Sequence, residues 1–476
     1  MIKQYFMFHF YQKTDTMVFV LQKFNELQTE VSMNIFFVSL GCDKNLVDSE
    51  NMLGILQDNG YRIIDDEQAA DIIIVNTCCF INDAKQESIT TILEMAEYKK
   101  IGNLKALIVT GCMAERYKEE ILKEIPEVDA LLGTASFDDI MGVMNELMEG
   151  KKAMRFEDLD RIPKVKSRRV LTSGTYSSYL KIAEGCDKHC TYCIIPKVRG
   201  NYRSVPMEDL LDEAQYLAEQ GVKELILVAQ ETTLYGVDIY GSKTLPKLLE
   251  NLCKIDGIEW IRILYCYPEE ITEELIKVIK REPKICHYLD IPIQHASDRI
   301  LKQMGRRTSK ADLMQIVSRL RKEIPDITLR TTLITGFPTE TEEEHEELKA
   351  FVQDMKFERL GVFTYSKEDN TPAAKLKPQI TEKVKKQRQK ELMALQQENV
   401  FAHTESLVGR TFEVLIEGRI VEEENVYIGR TYMDAPQVDG FFFLTSEEEL
   451  ISGSIVRAIV TGAKDYDLVG ELVKGE

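Results

Sequence analysis

Three short apolar runs, each closing on a cysteine, constrain the fold of the N-terminal part more than any other feature. They are "NIFFVSLGC" (34–42), "DIIIVNTC" (71–78) and "KALIVTGC" (105–112). Each is rich in β-branched residues and bounded by turn formers, and amphipathic stretches such as 46–59 and 83–100 lie between them. Buried strands alternating with helical stretches predict a doubly wound parallel sheet, an α/β fold. In such a sheet the carboxyl ends of the strands share one edge, which is where ligands bind. Cys42, Cys78 and Cys112 are therefore expected to meet as metal ligands, although isolated cysteines are more often plain buried thiols.

A second α/β series starts at 177. Strands are predicted at 179–183, 223–229, 260–265, 286–293, 327–336 and 358–364, with helices between them such as 207–220, 271–281 and 340–354. Six strand–helix units predict a partial (β/α)6 version of the eight-fold barrel, with its chemistry at the carboxyl ends of the strands. The polar stretch 151–173, with "KVKSRR" and "TSGT", reads as a linker whose basic run is a solvated face rather than a phosphate patch. A charged helix over about 380–402 leads into short strands and glycine turns, the pattern of a small all-β barrel. The expected divisions are a poorly structured extension (1–32) ahead of a natural start at Met33, a first sheet (33–150), a linker (151–173), a partial barrel (174–403) and a small β-barrel (404–476).

Directly beyond the first strand of the second series, Cys186, Cys190 and Cys193 are spaced C-x3-C-x2-C in "GCDKHCTYC". Structural zinc sites pair C-x2-C elements to reach four ligands, and no second pair follows within the next fifty residues. A [4Fe–4S] cluster usually takes four cysteines, so three leave one iron open to a small molecule. The spacing thus favours an open-site cluster over a zinc knuckle. His189 reads as a polar loop residue, His295 as a hydrogen-bonded structural histidine, and Cys253, Cys266 and Cys286 as small buried hydrophobes.

The chain carries a formal charge of −19 and ten cysteines, with no run apolar enough to span a bilayer and no secretory signal. This predicts a cytoplasmic protein that uses cysteine for metal or redox chemistry. A protein that grips naked nucleic acid by its phosphates is expected to be basic. Here residues 405–476 alone hold six Lys/Arg against fifteen Asp/Glu, a balance suited to a basic partner.

"GCDKHCTYCIIPKVRGNYRS" resembles the radical S-adenosylmethionine signature as it occurs in the methylthiotransferase family, and the resemblance covers nearly the whole chain from Met33. "SLGCDKNLVDSE", "VNTCCFINDAKQESI" and "VTGCMAERY" are similar to that family's N-terminal domain, and the tail is similar to its TRAM domain. "LVAQETTLYGVDIYG", "ILYCYPEEIT", "YLDIPIQHASDRIL" and "GRTYMDAPQVDG" resemble the branch that modifies a ribosomal protein more than the branches that act on transfer RNA.

The resemblance implies two [4Fe–4S] clusters, one on Cys186, Cys190 and Cys193 and an auxiliary one on Cys42, Cys78 and Cys112. It implies S-adenosyl-L-methionine at the first cluster, cleaved to a 5′-deoxyadenosyl radical, and sulfur delivered at the second. The implied substrate is the β-carbon of an aspartate on the basic small-subunit protein S-twelve; a transfer-RNA adenosine is the alternative, and a non-catalytic iron–sulfur scaffold a third. A low-potential electron donor such as flavodoxin or ferredoxin, and a monomer, are expected, with no catalytic residue beyond the cluster ligands. Tyr192, Gln230, Glu231 and Arg330 are the candidates to hold the cofactor, Gln230 and Glu231 at its amino group and Arg330 at its carboxylate, unless Arg330 pairs with a neighbouring acid. "NTCCF" departs from the family pattern, which has glycine after the cysteine. Cys79 is thus an extra thiol beside Cys78, which is assigned as ligand by its offset from the strand.

Overall fold

The computed structural model describes residues 33–172, 174–421, 423 and 425–473, so the expected extension over 1–32 lies outside the described residues. The first sheet comprises β1 (Asn34–Ser39), β2 (Arg62–Ile64), β3 (Ile72–Thr77), β4 (Ala106–Gly111), β5 (Ala130–Leu132) and β6 (Ala153–Arg155). All run parallel, in the order β2-β1-β3-β4-β5-β6. Every residue of β3 and β4 is buried, because helices cover both faces; such strands read as continuous apolar runs rather than alternating ones. Ile73, Val75 and Leu107 face one core, Ile72, Ile74 and Ile108 the other. The sheet reaches further than the sequence indicated: Ala153–Arg155 falls in the stretch expected as linker, yet pairs with β5. In the basic run that follows, Arg168 pairs with Asp212 at 2.7 Å and buried Arg169 donates to the Ser178 hydroxyl at 2.7 Å.

The second unit begins with β7 (Ser177–Lys181), followed by a short ribbon of β8 (Ala183–Glu184) and β9 (Arg203–Ser204). β7 then continues into a six-stranded parallel sheet with β10 (Glu224–Val228), β11 (Trp260–Ile263), β12 (Ile285–Asp290), β13 (Thr328–Thr335) and β14 (Arg359–Thr364), in that order. Helices line its outer face, and their starts are locally encoded. The Ser309 and Thr341 side chains cap helices Lys310–Glu323 and Glu342–Met355, each in a capping box with Asp312 or Glu344. Leu225, Leu227, Ile261 and Leu289 point to the helices, while Ile226, Val228, Cys286 and Tyr288 point inward. Among the described residues no helix is long and apolar enough to cross a membrane.

The chain then runs through helix Glu382–Glu405 into β15 (Thr411–Arg419), β16 (Val426–Arg430), β17 (Phe442–Thr445), β18 (Ile455–Lys464) and β19 (Asp467–Leu472), which close into a five-stranded barrel. Leu415, Ala435 and Tyr432 of this barrel pack against the inner face of the six-stranded sheet. Charge fixes the contact. Glu224 accepts from Arg262 Nε at 2.8 Å, and from Arg430 Nη2 at 2.7 Å and Ser177 Oγ at 2.8 Å; the three charged residues are fully buried. Burial alone would lift the Glu224 carboxyl, but the Arg430 and Arg262 guanidinium groups hold it down at about 2. Arg359 pairs with Asp434, and Arg330 Nε lies 3.4 Å from Asp439. The closed barrel therefore floors the partial barrel at the end where its strands begin. Part of its acidity is turned inward: Glu417, Asp434 and Asp439 neutralise Arg430, Arg359 and Arg330.

Candidate active site

The first cysteine trio sits where the doubly wound sheet predicts. β1, β3 and β4 are neighbours, and Cys42, Cys78 and Cys112 follow their carboxyl ends. Two glycines make the turns. Gly41 and Gly111 adopt φ values of +93° and +90°, which residues with a side chain rarely take. A Cβ on Gly41 would lie 2.7 Å from Cys78 Cβ, and one on Gly111 would lie 2.2 Å from Asn76 Oδ1. Ser88 holds Cys78 from both sides, accepting from its amide at 3.1 Å and donating to its carbonyl at 2.9 Å. Burial raises the Cys78 and Cys112 thiols, and the neighbouring thiols, Cys42 in both cases, raise them further. A metal centre is what would draw the protons off such a set. Cys79 is tied to the backbone beside this group: its fully buried thiol donates to the Cys112 carbonyl at 3.2 Å, and burial, with the neighbouring Cys112, pushes it up to about 12.

The second trio lies on the loop after β8. Gly185 makes the loop possible at φ +80°, where a Cβ would lie 2.0 Å from the Asn201 carbonyl oxygen. The Cys193 amide donates to the Cys190 carbonyl at 3.0 Å, and the Ile195 amide donates to Cys193 Sγ at 3.4 Å. Burial raises Cys186 to about 11, and burial with the neighbouring Cys190 raises Cys193. Tyr267 OH lies 3.7 Å from Cys190 Sγ, with the Arg306 guanidinium 4.2 Å over the Tyr267 ring. Lys188 is anchored by Glu270 at 2.5 Å and Glu269 at 3.2 Å. His189 is exposed, at φ +51°. His295 is fully buried and accepts from the Ser297 amide at 3.0 Å; burial drives it to about 3, so it is neutral.

Of the cofactor candidates, three flank this loop. Tyr192 adjoins Cys190 and Cys193, whose charges, after burial, raise its phenol. Gln230 Nε2 donates to Glu184 at 2.6 Å, while its buried Oε1 has no partner. Glu231, fully buried, accepts from the Thr233 amide at 2.9 Å; its Oε2 is unpartnered, with Lys188 Nζ at 3.9 Å, and burial pushes its carboxyl up to about 7. Arg330 is placed differently: it donates to Asp290 at 3.0 Å and faces Asp439 of the closed barrel, which is the ion-pair alternative open in the sequence.

Between the trios runs a buried charge network that no motif singled out. Arg199 Nη1 donates to Asp48 at 2.7 Å and Glu184 at 2.9 Å, Nη2 to Asn45 Oδ1, and Nε to Cys112 Sγ at 3.4 Å. Lys181 bonds the same two carboxylates. Nearby, Lys44 lies 3.3 Å over the Tyr265 ring, and Tyr265 OH donates to Asp43 at 3.2 Å. The available signals were small: Asn45 and Asp48 stand three apart on the helix after Cys42, so they share a face, and Arg199 ends the short helix after Cys193.

The donors fit iron–sulfur clusters. Each trio is all thiolate sulfur, the soft donor set such clusters take. Among the described residues no three or more His, Cys, Asp or Glu gather as a mononuclear metal site, whereas cubane ligands stand at separate corners. Two buried orphan acceptors, Gln230 Oε1 and Glu231 Oε2, suit a ligand that brings an ammonium group.

Comparison with known proteins accords with this geometry. Residues 34–133 match Uncharacterized protein family UPF0004, 180–352 the Radical SAM superfamily and 408–473 the TRAM domain. A similar solved structure is the radical S-adenosylmethionine methyltransferase TsrM from Kitasatospora setae, with cobalamin and a [4Fe–4S] cluster bound. It matches at TM-score 0.55 and 14% identity, over 72% of this chain and 77% of that one, a likeness of fold. Fold and site define a radical S-adenosylmethionine protein with an added cysteine-bearing sheet and a TRAM barrel. Among relatives, the ribosomal protein uS12 methylthiotransferase RimO of Lachnoclostridium phytofermentans is 67% identical over 92% of this chain and 99% of its own length. The RimO of Clostridioides difficile is 51% identical over 93% and 99%. The chain belongs to the RimO family.

Proposed function

We propose that this chain adds a methylthio group to the β-carbon of an aspartate of ribosomal protein uS12, using two [4Fe–4S] clusters and S-adenosylmethionine. The observation that carries the reading is the pair of all-cysteine trios, each one ligand short of a full cluster set, joined through the short helix Ile195–Arg199. Cys186, Cys190 and Cys193 hold one cluster; Cys42, Cys78 and Cys112 hold the other. When bound, these groups would relay the electron and supply the radical and the sulfur, chemistry that acid–base residues cannot provide.

The chain's own residues do the rest. Glu231 and Gln230 accept from the cofactor's ammonium, and Tyr192 and Tyr267 wall the loop against water. Arg330, at 3.0 Å from Asp290, either lends its outer face to the cofactor carboxylate or serves only to dock the closed barrel. The outward acids of that barrel meet the basic substrate; a phosphate backbone would be repelled. The electron comes from an external low-potential donor of the flavodoxin or ferredoxin kind, and the chain acts as a monomer.

The test is intact-mass spectrometry of small-subunit ribosomal proteins from cells with and without the gene, alongside digests of bulk transfer RNA. Loss of a methylthio increment from uS12 alone is expected. Loss of a methylthiolated adenosine instead would overturn the reading in favour of a transfer-RNA substrate.

A further inference from the structure

Helix Ile195–Arg199 is five residues long and begins two residues after Cys193. Its first amide donates to Cys193 Sγ at 3.4 Å, and the side chain at its other end donates through Nε to Cys112 Sγ at 3.4 Å. One short, stiff segment therefore touches a ligand of each trio. Arg199 is buried, and its remaining bonds reach both units: Asn45 and Asp48 from the first sheet, Glu184 from the second. Docking the two units requires only the carboxylates. An Nε–H aimed at sulfur does something more.

We propose that Arg199 is a positioning residue for the auxiliary cluster, fixing it relative to the radical loop and raising its reduction potential. This rests on the reading that Cys42, Cys78 and Cys112 hold that cluster. Hydrogen bonds to cluster sulfurs and nearby positive charge favour the more negative, reduced state. Arg199 and Lys181 together balance Asp48 and Glu184, but it is the guanidinium that faces the sulfur, with its Nε–H 3.4 Å from Cys112 Sγ. An arginine whose charge was cancelled by its carboxylates and whose Nε–H did not reach the cluster would leave the potential where it is.

The full chain, purified without oxygen and loaded with iron and sulfide, is assayed for iron and titrated potentiometrically by electron paramagnetic resonance, as wild type, R199K and R199Q. Wild type should carry about eight irons, two four-iron clusters. In R199Q the auxiliary reduction equilibrium should fall about tenfold, about 59 mV for one electron. R199K keeps the charge but loses the Nε–H, so a smaller fall in the same direction is expected, with the Cys186 cluster unmoved in both. An auxiliary equilibrium within about threefold of wild type in iron-replete R199K and R199Q would overturn the assignment. If R199Q does not load, R199K decides by the same criterion. Only about four irons in wild type would instead sink the two-cluster reading itself.

Discussion

Glu224→Gln should cut the chain's stability by about 3 kcal/mol at pH 7. Glu224 is the carboxylate that Arg262 and Arg430 share in the buried cluster joining the partial barrel to its floor, and Arg430 has Glu417 as a second partner. Glutamine keeps the shape and one acceptor but strands the Arg262 guanidinium in the interior and leaves Arg430 with Glu417 alone. Breaking a buried pair from one side costs about 3–5 kcal/mol. The carboxyl gives an independent figure: holding it at about 2 rather than its ordinary 4.5 corresponds to about 3 kcal/mol. Because the folded value is depressed, this stabilisation is complete above 4.5 and is lost as the pH falls through about 2. Other depressed carboxylates such as Glu184 and Glu344 weaken both proteins in acid, so the gap between wild type and E224Q should close by about this amount over that range. Trp260, the only tryptophan in the chain, starts β11 and lies in the same apolar cluster as Leu415 and Ala435 of the floor. Urea unfolding followed by its fluorescence reads the junction. A loss under about 1 kcal/mol in E224Q at pH 7 would refute the account.

Other outcomes follow from the site. Replacing Cys42, Cys78 and Cys112 together by alanine should halve the bound iron to about four per chain, whereas Cys79→Ala should leave it unchanged. Iron lost in C79A would move the ligand assignment from Cys78 to its neighbour. Gly111→Ala must fit a Cβ 2.2 Å from Asn76 Oδ1 at φ +90°. It should cost about 1–3 kcal/mol in the same urea assay and loosen the auxiliary iron, measured by retention during gel filtration. Glu231→Gln removes a charged acceptor and should weaken S-adenosylmethionine binding about tenfold by equilibrium dialysis, with iron content unchanged.

The parts legible in the sequence are those with short-range signatures. β3 and β4 showed because both faces are buried, and the cysteine after each strand showed because the offset repeats. The Cys186 loop showed through its spacing. β6 did not: three residues at a sheet edge, one of them arginine, carry no period to read. The Arg199 network did not, because Asn45 and Asp48 meet it across about 150 residues of chain, and no local pattern encodes that meeting. Counting charges over 405–476 gave the net acidity of the tail but not which way its acids face. Glu417, Asp434 and Asp439 look inward. Arg330 was ambiguous for the same reason, since a strand position does not say which acid stands opposite.

The floor of the partial barrel has a consequence for how such chains diverge. A domain reached through a single helix would ordinarily be an exchangeable head, swapped among relatives to address new substrates. Here Arg430, Asp434 and Asp439 on the closed barrel each answer a residue of the other unit, Glu224, Arg359 and Arg330. A graft that moved one half of these pairs would bury unmatched charge. The address on the outer face can drift freely, but the two units must be inherited as a matched lock, with substitutions at 224 and 430, 359 and 434, and 330 and 439 arising in step.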